Sequence, residues 1–201
     1  MQISAEKTPT LGGVVAETFW TLPNTLTVSR IALTPFLFAL PWFHGRGWSA
    51  VMGISFLAVS LTDLVDGYLA RLHNQESRIG KLLDPLADKL LVMTAFVMLV
   101  GVGRVPAWAL PLVVAILARE LVVTGLRGIA GSQGVVLGAS GLGKWKTGFQ
   151  IAAITALLIH WPFLGLPAHE VGLGLLGIAT VLTVFSGWQY LRGYFASSAG
   201  T

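Results

Sequence analysis

The sequence predicts an all-α integral membrane protein of six transmembrane helices, from its composition, its hydropathy and the placement of its charges. Of 201 residues, 54% are hydrophobic and 11% charged, against roughly 25% charged in a soluble domain. Mean hydropathy is +0.76. The apolar stretches are divided by short Gly- and Pro-bearing turns, and the length suits six spans of ~20 residues with no separate soluble domain. The net charge is +4, and no nucleic-acid partner is expected. Cysteine is absent, which excludes disulfides and thiolate metal sites.

Taken in order, residues 1–21 read as a polar arm or interfacial helix with Trp20 as an anchor. This arm carries Glu6, Lys7 and Glu17 and lacks an apolar run, so no cleavable signal peptide is expected. Residues 22–195 form one six-helix domain. Its first span, 22–43, opens with Pro23-Asn24-Thr25, which is helix-start chemistry. Pro35 and Pro41 are tolerable there because neighbouring membrane helices can satisfy the freed backbone groups. A turn at 44–47 leads to the second span, 48–70, whose last two turns are acidic. A polar connection at 72–79 leads to the third span, 81–102. After the turn 103–106, the fourth span covers 107–129 and carries Arg119, Glu120 and Arg127. A glycine-rich linker at 131–143 precedes the fifth span, 144–159. A turn over 161–169, with Pro162 and Pro167, leads to the sixth, 171–190.

The cations divide unequally between the two ends of this bundle. One end holds Lys7, Arg30, Arg71, Arg78, Lys81, Lys89, Arg119, Arg127, Lys144, Lys146 and Arg192; the other holds Arg46 and Arg104. The positive-inside rule then places both termini and the acidic stretch on the cytoplasmic side. The expected location is a bacterial inner membrane, crossed several times.

The acidic stretch is the chemical centre of the chain. Asp63, Asp66, Asp84 and Asp88 are its only aspartates, and each ionised side chain at membrane depth costs about 3 kcal/mol or more. Asp63 and Asp66 are three apart and Arg71 follows, so one helix end carries them on neighbouring turns; Asp84 and Asp88 are four apart and share a face. Gly67 and Ala70 are small enough to admit a ligand or another backbone. The residues between Arg71 and Gly80 let the third span return antiparallel, so the two carboxylate pairs face each other at helix-packing distance, about 8–10 Å between axes.

Four converging carboxylates repel unless a cation joins them. Oxygen donors favour Mg²⁺, Mn²⁺ or Ca²⁺, and four can hold two ions, an arrangement suited to phosphoryl displacement. The surrounding Arg and Lys would grip phosphate. Two other readings stand beside this one. Salt bridges from the aspartates to Arg71, Arg78, Lys81 and Lys89 would be purely structural. Buried acids also mark the ion route of a cation-coupled carrier, although carrier sites usually lie near the midplane of internally repeated folds.

In full, the stretch reads Asp63-x2-Asp66-Gly67-x2-Ala70-Arg71-x8-Gly80-x3-Asp84-x3-Asp88, eight fixed positions over 26 residues. It resembles the complete signature of the CDP-alcohol phosphotransferase family. Four further segments are similar to the branch that forms phosphatidylglycerol phosphate: 23–31 with Pro35, 82–92, 118–127, and Gly143-Lys144-Trp145-Lys146-Thr147 with Gln150. Trp145 departs from the smaller or aliphatic residue expected there. The resemblance spans about residues 22–155.

The resemblance implies a six-helix homodimer that uses Mg²⁺ or Mn²⁺, two ions, to displace CMP from CDP-diacylglycerol with sn-glycerol 3-phosphate. It implies that Asp63, Asp66, Asp84 and Asp88 ligate metal and that Asp88 is also the catalytic base. Gly67, Arg71, Ser77 and Gly80, with Asn24 and Thr27, would contact the CDP-lipid. Arg119, Lys144 and Lys146, with Arg127 and Arg78, would bind the acceptor phosphate. Inositol phosphate or serine are alternative acceptors for the same chemistry.

Three patterns are set aside. Gly138-x4-Gly143-Lys144 nearly spells a P-loop, but Trp145 follows and no strand precedes it. Gly172-x-Gly174-x2-Gly177 matches the dinucleotide fingerprint only by letters; inside a span, close helix packing is expected instead. His44, His73, His160 and His169 are scattered without metal-ligand spacing.

Overall fold

The computed structural model describes Pro35, Leu37, Ala39, Trp42, Phe43 and residues 45–73, 78–132 and 142–198. Five α-helices occupy these residues: α1 Arg46–His73, α2 Arg78–Gly101, α3 Leu110–Ser132, α4 Leu142–Ile159 and α5 Ala168–Ser198. A 3₁₀ turn, Ala107–Ala109, leads into α3 behind an extended Pro106, which suits proline's fixed φ at a helix start. No β-strand occurs among the described residues; an isolated antiparallel bridge joins Phe163 and Leu166. Of the first expected span, Pro35 and Leu37 are helical, and Trp42 and Phe43 donate backbone bonds to the Ala39 carbonyl at 3.0 and 3.1 Å. The amino-terminal arm and the rest of that span lie outside the described residues.

α4 is the central helix, packed against α5, α1 and α2, while α3 packs against α5. Its Ile154, Leu157 and Leu158 are fully buried, together with Phe56 of α1, Phe96 and Leu99 of α2, Ile116 of α3 and Leu176 of α5. The outward faces are apolar too, with Trp108, Val114, Leu121, Val181, Phe185 and Trp188 exposed. A helix that is apolar on every side must be surrounded by protein or by lipid. Two helical segments, Ala107–Ala130 and Ala168–Phe195, are long and apolar enough to cross a membrane; Lys89–Gly101 and Trp145–Ile159 are shorter apolar helices. The described residues are thus all-helical, with two candidate membrane spans among them.

Several boundaries lie outside the sequence expectation. α1 starts at Arg46, inside the expected 44–47 turn, and runs to His73; α2 starts at Arg78. α3 continues to Ser132, and α5 runs from Ala168 to Ser198. Polar residues at these ends keep helical hydrogen bonds although they lie beyond the apolar stretch that hydropathy detects. The glycine pattern in α5 packs at one position only. A Cβ on Gly172 would sit 2.8 Å from Leu157 Cγ, so this glycine lets α4 and α5 approach, whereas Gly174 and Gly177 face open space.

The end of the bundle remote from the acidic stretch is tied by its two cations. Arg104 is 4% exposed. Its Nη1 donates to the carbonyls of Leu157 (3.5 Å) and Leu158, and its Nη2 donates to Ser49 Oγ at 2.6 Å. These carbonyls end α4 and have no helical donor of their own. Arg46 Nη2 donates to the Pro162 carbonyl at 2.8 Å. The chain leaves α4 through His160 at φ 62, then turns at Leu164 (φ 51) and Gly165 (φ 80) between the bridged Phe163 and Leu166, the positive φ pair of a tight hairpin turn. This turn brings His160 Nδ1 to 3.2 Å from His169 Nδ1. The reading of the four histidines as scattered is therefore corrected for these two.

Candidate active site

The acidic stretch is carried on two unbroken helices. Asp63, Asp66, Gly67 and Arg71 belong to the last three turns of α1; Arg78, Gly80, Asp84 and Asp88 belong to the first three of α2. Unbroken helix at both places realises the i,i+3 and i,i+4 spacings, so each aspartate pair shares a face. The side chains of 63–88 lie outside the described part, as do Asn24, Thr27 and Ser77 altogether. Among the described residues no group of three or more metal-ligating side chains occurs, and the four aspartate side chains lie outside them. A donor set of four carboxylates, two from the end of α1 and two from the start of α2, fits hard divalent cations in its chemistry.

One residue along α2 from Asp88 begins a cluster that is described in full. Glu120 of α3 is 8% exposed. Its Oε2 accepts from Lys89 Nζ at 3.0 Å; its Oε1 accepts from Lys146 Nζ of α4 and, at 3.3 Å, from Arg119 Nη1. Arg119 Nη2 donates in turn to Ser186 Oγ of α5 at 3.0 Å, and that hydroxyl donates to the Thr183 carbonyl, also at 3.0 Å. Gln150 Nε2 of α4 reaches Thr183 Oγ1 at 3.0 Å. Arg119 fits because residue 187 is glycine: a Cβ there would stand 2.8 Å from Arg119 Cγ. Side chains from α2, α3, α4 and α5 thus meet at one place.

The charges do not cancel. Three cations share a single carboxylate among the described side chains, leaving a net +2. A buried carboxylate needs cationic partners, but one would suffice for neutrality. Surplus positive charge of this kind suits a polyanion, and ammonium and guanidinium groups keep donors beyond those Glu120 engages.

Of the five cations expected at an acceptor phosphate, Arg119 and Lys146 come together here. Arg127, two turns along α3 from Arg119, does not join the ion pairs of Glu120; its guanidinium lies over the Tyr190 ring, 5.8 Å from the centroid, a cation–π contact. Lys144 and Arg78 are in the first turns of α4 and α2, with side chains outside the described part. Lys89, which the sequence names only as a partner for the aspartates, and Glu120, to which it gives no role in the site, both belong to the cluster. Glu120 had a signal, since it is the only acidic residue between Asp88 and Glu170.

Residues 20–186 match the family model described as CDP-alcohol phosphatidyltransferase. The chain belongs to this family. The matched segment contains the whole acidic stretch and every residue of the Glu120 cluster. Among curated members, a CDP-diacylglycerol–glycerol-3-phosphate 3-phosphatidyltransferase of Bacillus subtilis is 42% identical over 184 residues, covering 84% of this chain and 92% of the relative. An enzyme of the same name from Cereibacter sphaeroides is 33% identical over 209 residues, covering 86% and 95%. A cardiolipin synthase (CMP-forming) of Oryza sativa is 35% identical over 189 residues, covering 86% of this chain and 56% of that protein. In this phosphatidyltransferase the four aspartates lie on two consecutive helices, and Lys89, next to Asp88 in sequence, belongs to the cationic cluster.

Proposed function

We propose that this chain transfers the phosphatidyl group of CDP-diacylglycerol to sn-glycerol 3-phosphate, giving phosphatidylglycerol phosphate and CMP. The observation that carries the choice of acceptor is the +2 cluster on Glu120, whose Lys89 directly follows Asp88 in the chain. A phosphate monoester is a dianion near neutral pH and matches that charge.

In this reading Asp88 takes the proton of the acceptor's primary hydroxyl. The hydroxyl oxygen forms a bond to the lipid-linked phosphorus, and the bond from that phosphorus to the oxygen of the CMP phosphate breaks. CMP departs with the electron pair. Arg119, Lys146 and Lys89 hold the acceptor phosphate, with Lys144, Arg127 and Arg78 nearby in sequence or on the same helices. Arg71, Gly67, Ser77, Gly80, Asn24 and Thr27 hold the CDP-lipid. Two divalent cations, Mg²⁺ or Mn²⁺, on Asp63, Asp66, Asp84 and Asp88 would supply neutralisation of the diphosphate. The chain would work as a homodimer of six-span subunits in a bacterial inner membrane, with its termini and site on the cytoplasmic side.

The likeness to the rice enzyme favours a second reading, phosphatidylglycerol as acceptor. Its phosphate is a monoanionic diester, a poorer match for +2. The test is CMP release from CDP-diacylglycerol by the purified protein in detergent with each candidate acceptor: glycerol 3-phosphate, phosphatidylglycerol, inositol phosphate and serine. Release with glycerol 3-phosphate, abolished by chelation and restored by Mg²⁺ or Mn²⁺, is expected. Release only with another acceptor overturns the choice of substrate, and no release with any leaves the carrier reading.

A further inference from the structure

We infer that Glu120 is a positioning residue of the acceptor site: its carboxylate sets the spacing of Lys89, Lys146 and Arg119 and trims their combined charge to that of a phosphate dianion. This rests on the acceptor reading above.

The two oxygens of Glu120 are used separately, Oε2 for Lys89 and Oε1 for Lys146 and Arg119. The carboxylate plane therefore determines how far the α2 ammonium lies from the α4 ammonium. Without it, like charges on facing helices would separate, because nothing else described holds the two lysines together. Arg119 is fixed independently through Ser186 and the space at Gly187. Glu120 thus aligns two mobile cations against one fixed cation.

The Glu120 carboxylate repels a phosphate, so it acts on that group through the cations it holds rather than by touching it. Lys89 directly follows Asp88. Correct placement of Lys89 on the acceptor phosphate accordingly aligns the acceptor with the helix turn that carries the base.

The experiment compares Glu120→Gln, Glu120→Asp and Lys146→Gln with the unaltered protein in detergent, measuring kcat, both KM values and inhibition by inorganic phosphate. In Glu120→Gln the charge rises by one. Phosphate should then inhibit about tenfold more tightly, while kcat with glycerol 3-phosphate falls about tenfold or more from misalignment. KM for CDP-diacylglycerol should stay within about twofold, since that substrate is held elsewhere. Glu120→Asp keeps the charge but shortens the reach, so kcat falls while phosphate inhibition is retained. If Glu120→Gln yields no folded protein, Glu120→Asp decides, and an unchanged kcat overturns the inference. It is also overturned if Glu120→Gln lowers only yield and thermal stability while folded protein keeps its kcat and phosphate inhibition. Lys146→Gln tests the reading beneath: unchanged KM for glycerol 3-phosphate there overturns the acceptor site itself, whereas a raised KM with a silent Glu120→Gln overturns the inference alone.

Discussion

Replacing Arg104 by Ala should destabilise the protein without altering its chemistry. Arg104 is buried and holds the carboxyl-terminal carbonyls of α4 and the Ser49 hydroxyl of α1, so its loss orphans acceptors on the central helix. Hydrogen bonds from a charged donor contribute about 1.5–3 kcal/mol each. The bonds to Leu158 and Ser49 carry most of this, and the third, at 3.5 Å, is weak. Relief of guanidinium desolvation offsets part of the loss; that same burial holds its pKa below the ordinary value. The net cost should be about 2–4 kcal/mol, or about 5–15 °C in melting temperature for a chain of this size. Arg104→Lys should recover less than half, since a single ammonium cannot span both acceptors. Ser49→Ala should cost about 1 kcal/mol, and the double variant should be less than additive because the two share one bond. Lys89 lies about 18 Å along α2 from Gly101, at 1.5 Å per residue, so kcat per folded molecule should not change. Thermal unfolding followed by tryptophan fluorescence, with CMP release at low temperature, measures both. A melting temperature within about 1 °C of the unaltered protein would refute the clamp.

Asp88→Ala should abolish CMP release while CDP-diacylglycerol still binds; near-normal turnover would remove Asp88 as the base. Gly187→Ala places a Cβ 2.8 Å from Arg119 Cγ and should raise KM for glycerol 3-phosphate by about threefold to tenfold. Gly193→Ala, whose Cβ meets nothing within 4 Å, serves as its silent control in the same kinetic assay. Stability should also fall on acidification. His160 is held below its ordinary value of 6.5 by burial, then by Arg104 and His169, against an opposing pull from Glu170. As pH drops through 6.5 the unfolded chain takes up this proton before the folded one, so stability is lost from there down to the lower folded value. Melting temperatures between neutral pH and pH ~5.5 should show a slope that His160→Asn, which tolerates the left-handed backbone, makes shallower.

Much of this architecture is legible in the chain because a membrane helix satisfies its backbone internally and its apolar length follows from composition. Hence the apolar parts of α3 and α5 are legible, the expected 107–129 and 171–190 falling largely within Leu110–Ser132 and Ala168–Ser198. Their ends are not, since polar residues such as Arg192 in α5 continue the helix without a hydropathy signal. The aspartate spacing likewise pointed to chemistry before any fold was known, because i,i+3 and i,i+4 relations are local. Arg119 and Lys146 were singled out by local motifs as well.

What one sequence determines here is the set of relations along a helix: which residues share a face, how many apolar segments exist, and which carboxylates stand as pairs. What the tertiary structure decided are relations between helices. That Lys89, Arg119 and Lys146 converge on Glu120 while Arg127 turns to Tyr190, and that His160 meets His169, depend on the packing of α2 to α5 around one another. Electrostatic energy depends on distance in space, and residues 31 and 26 positions from Glu120 came within bonding reach of it only because the helices that carry them pack side by side.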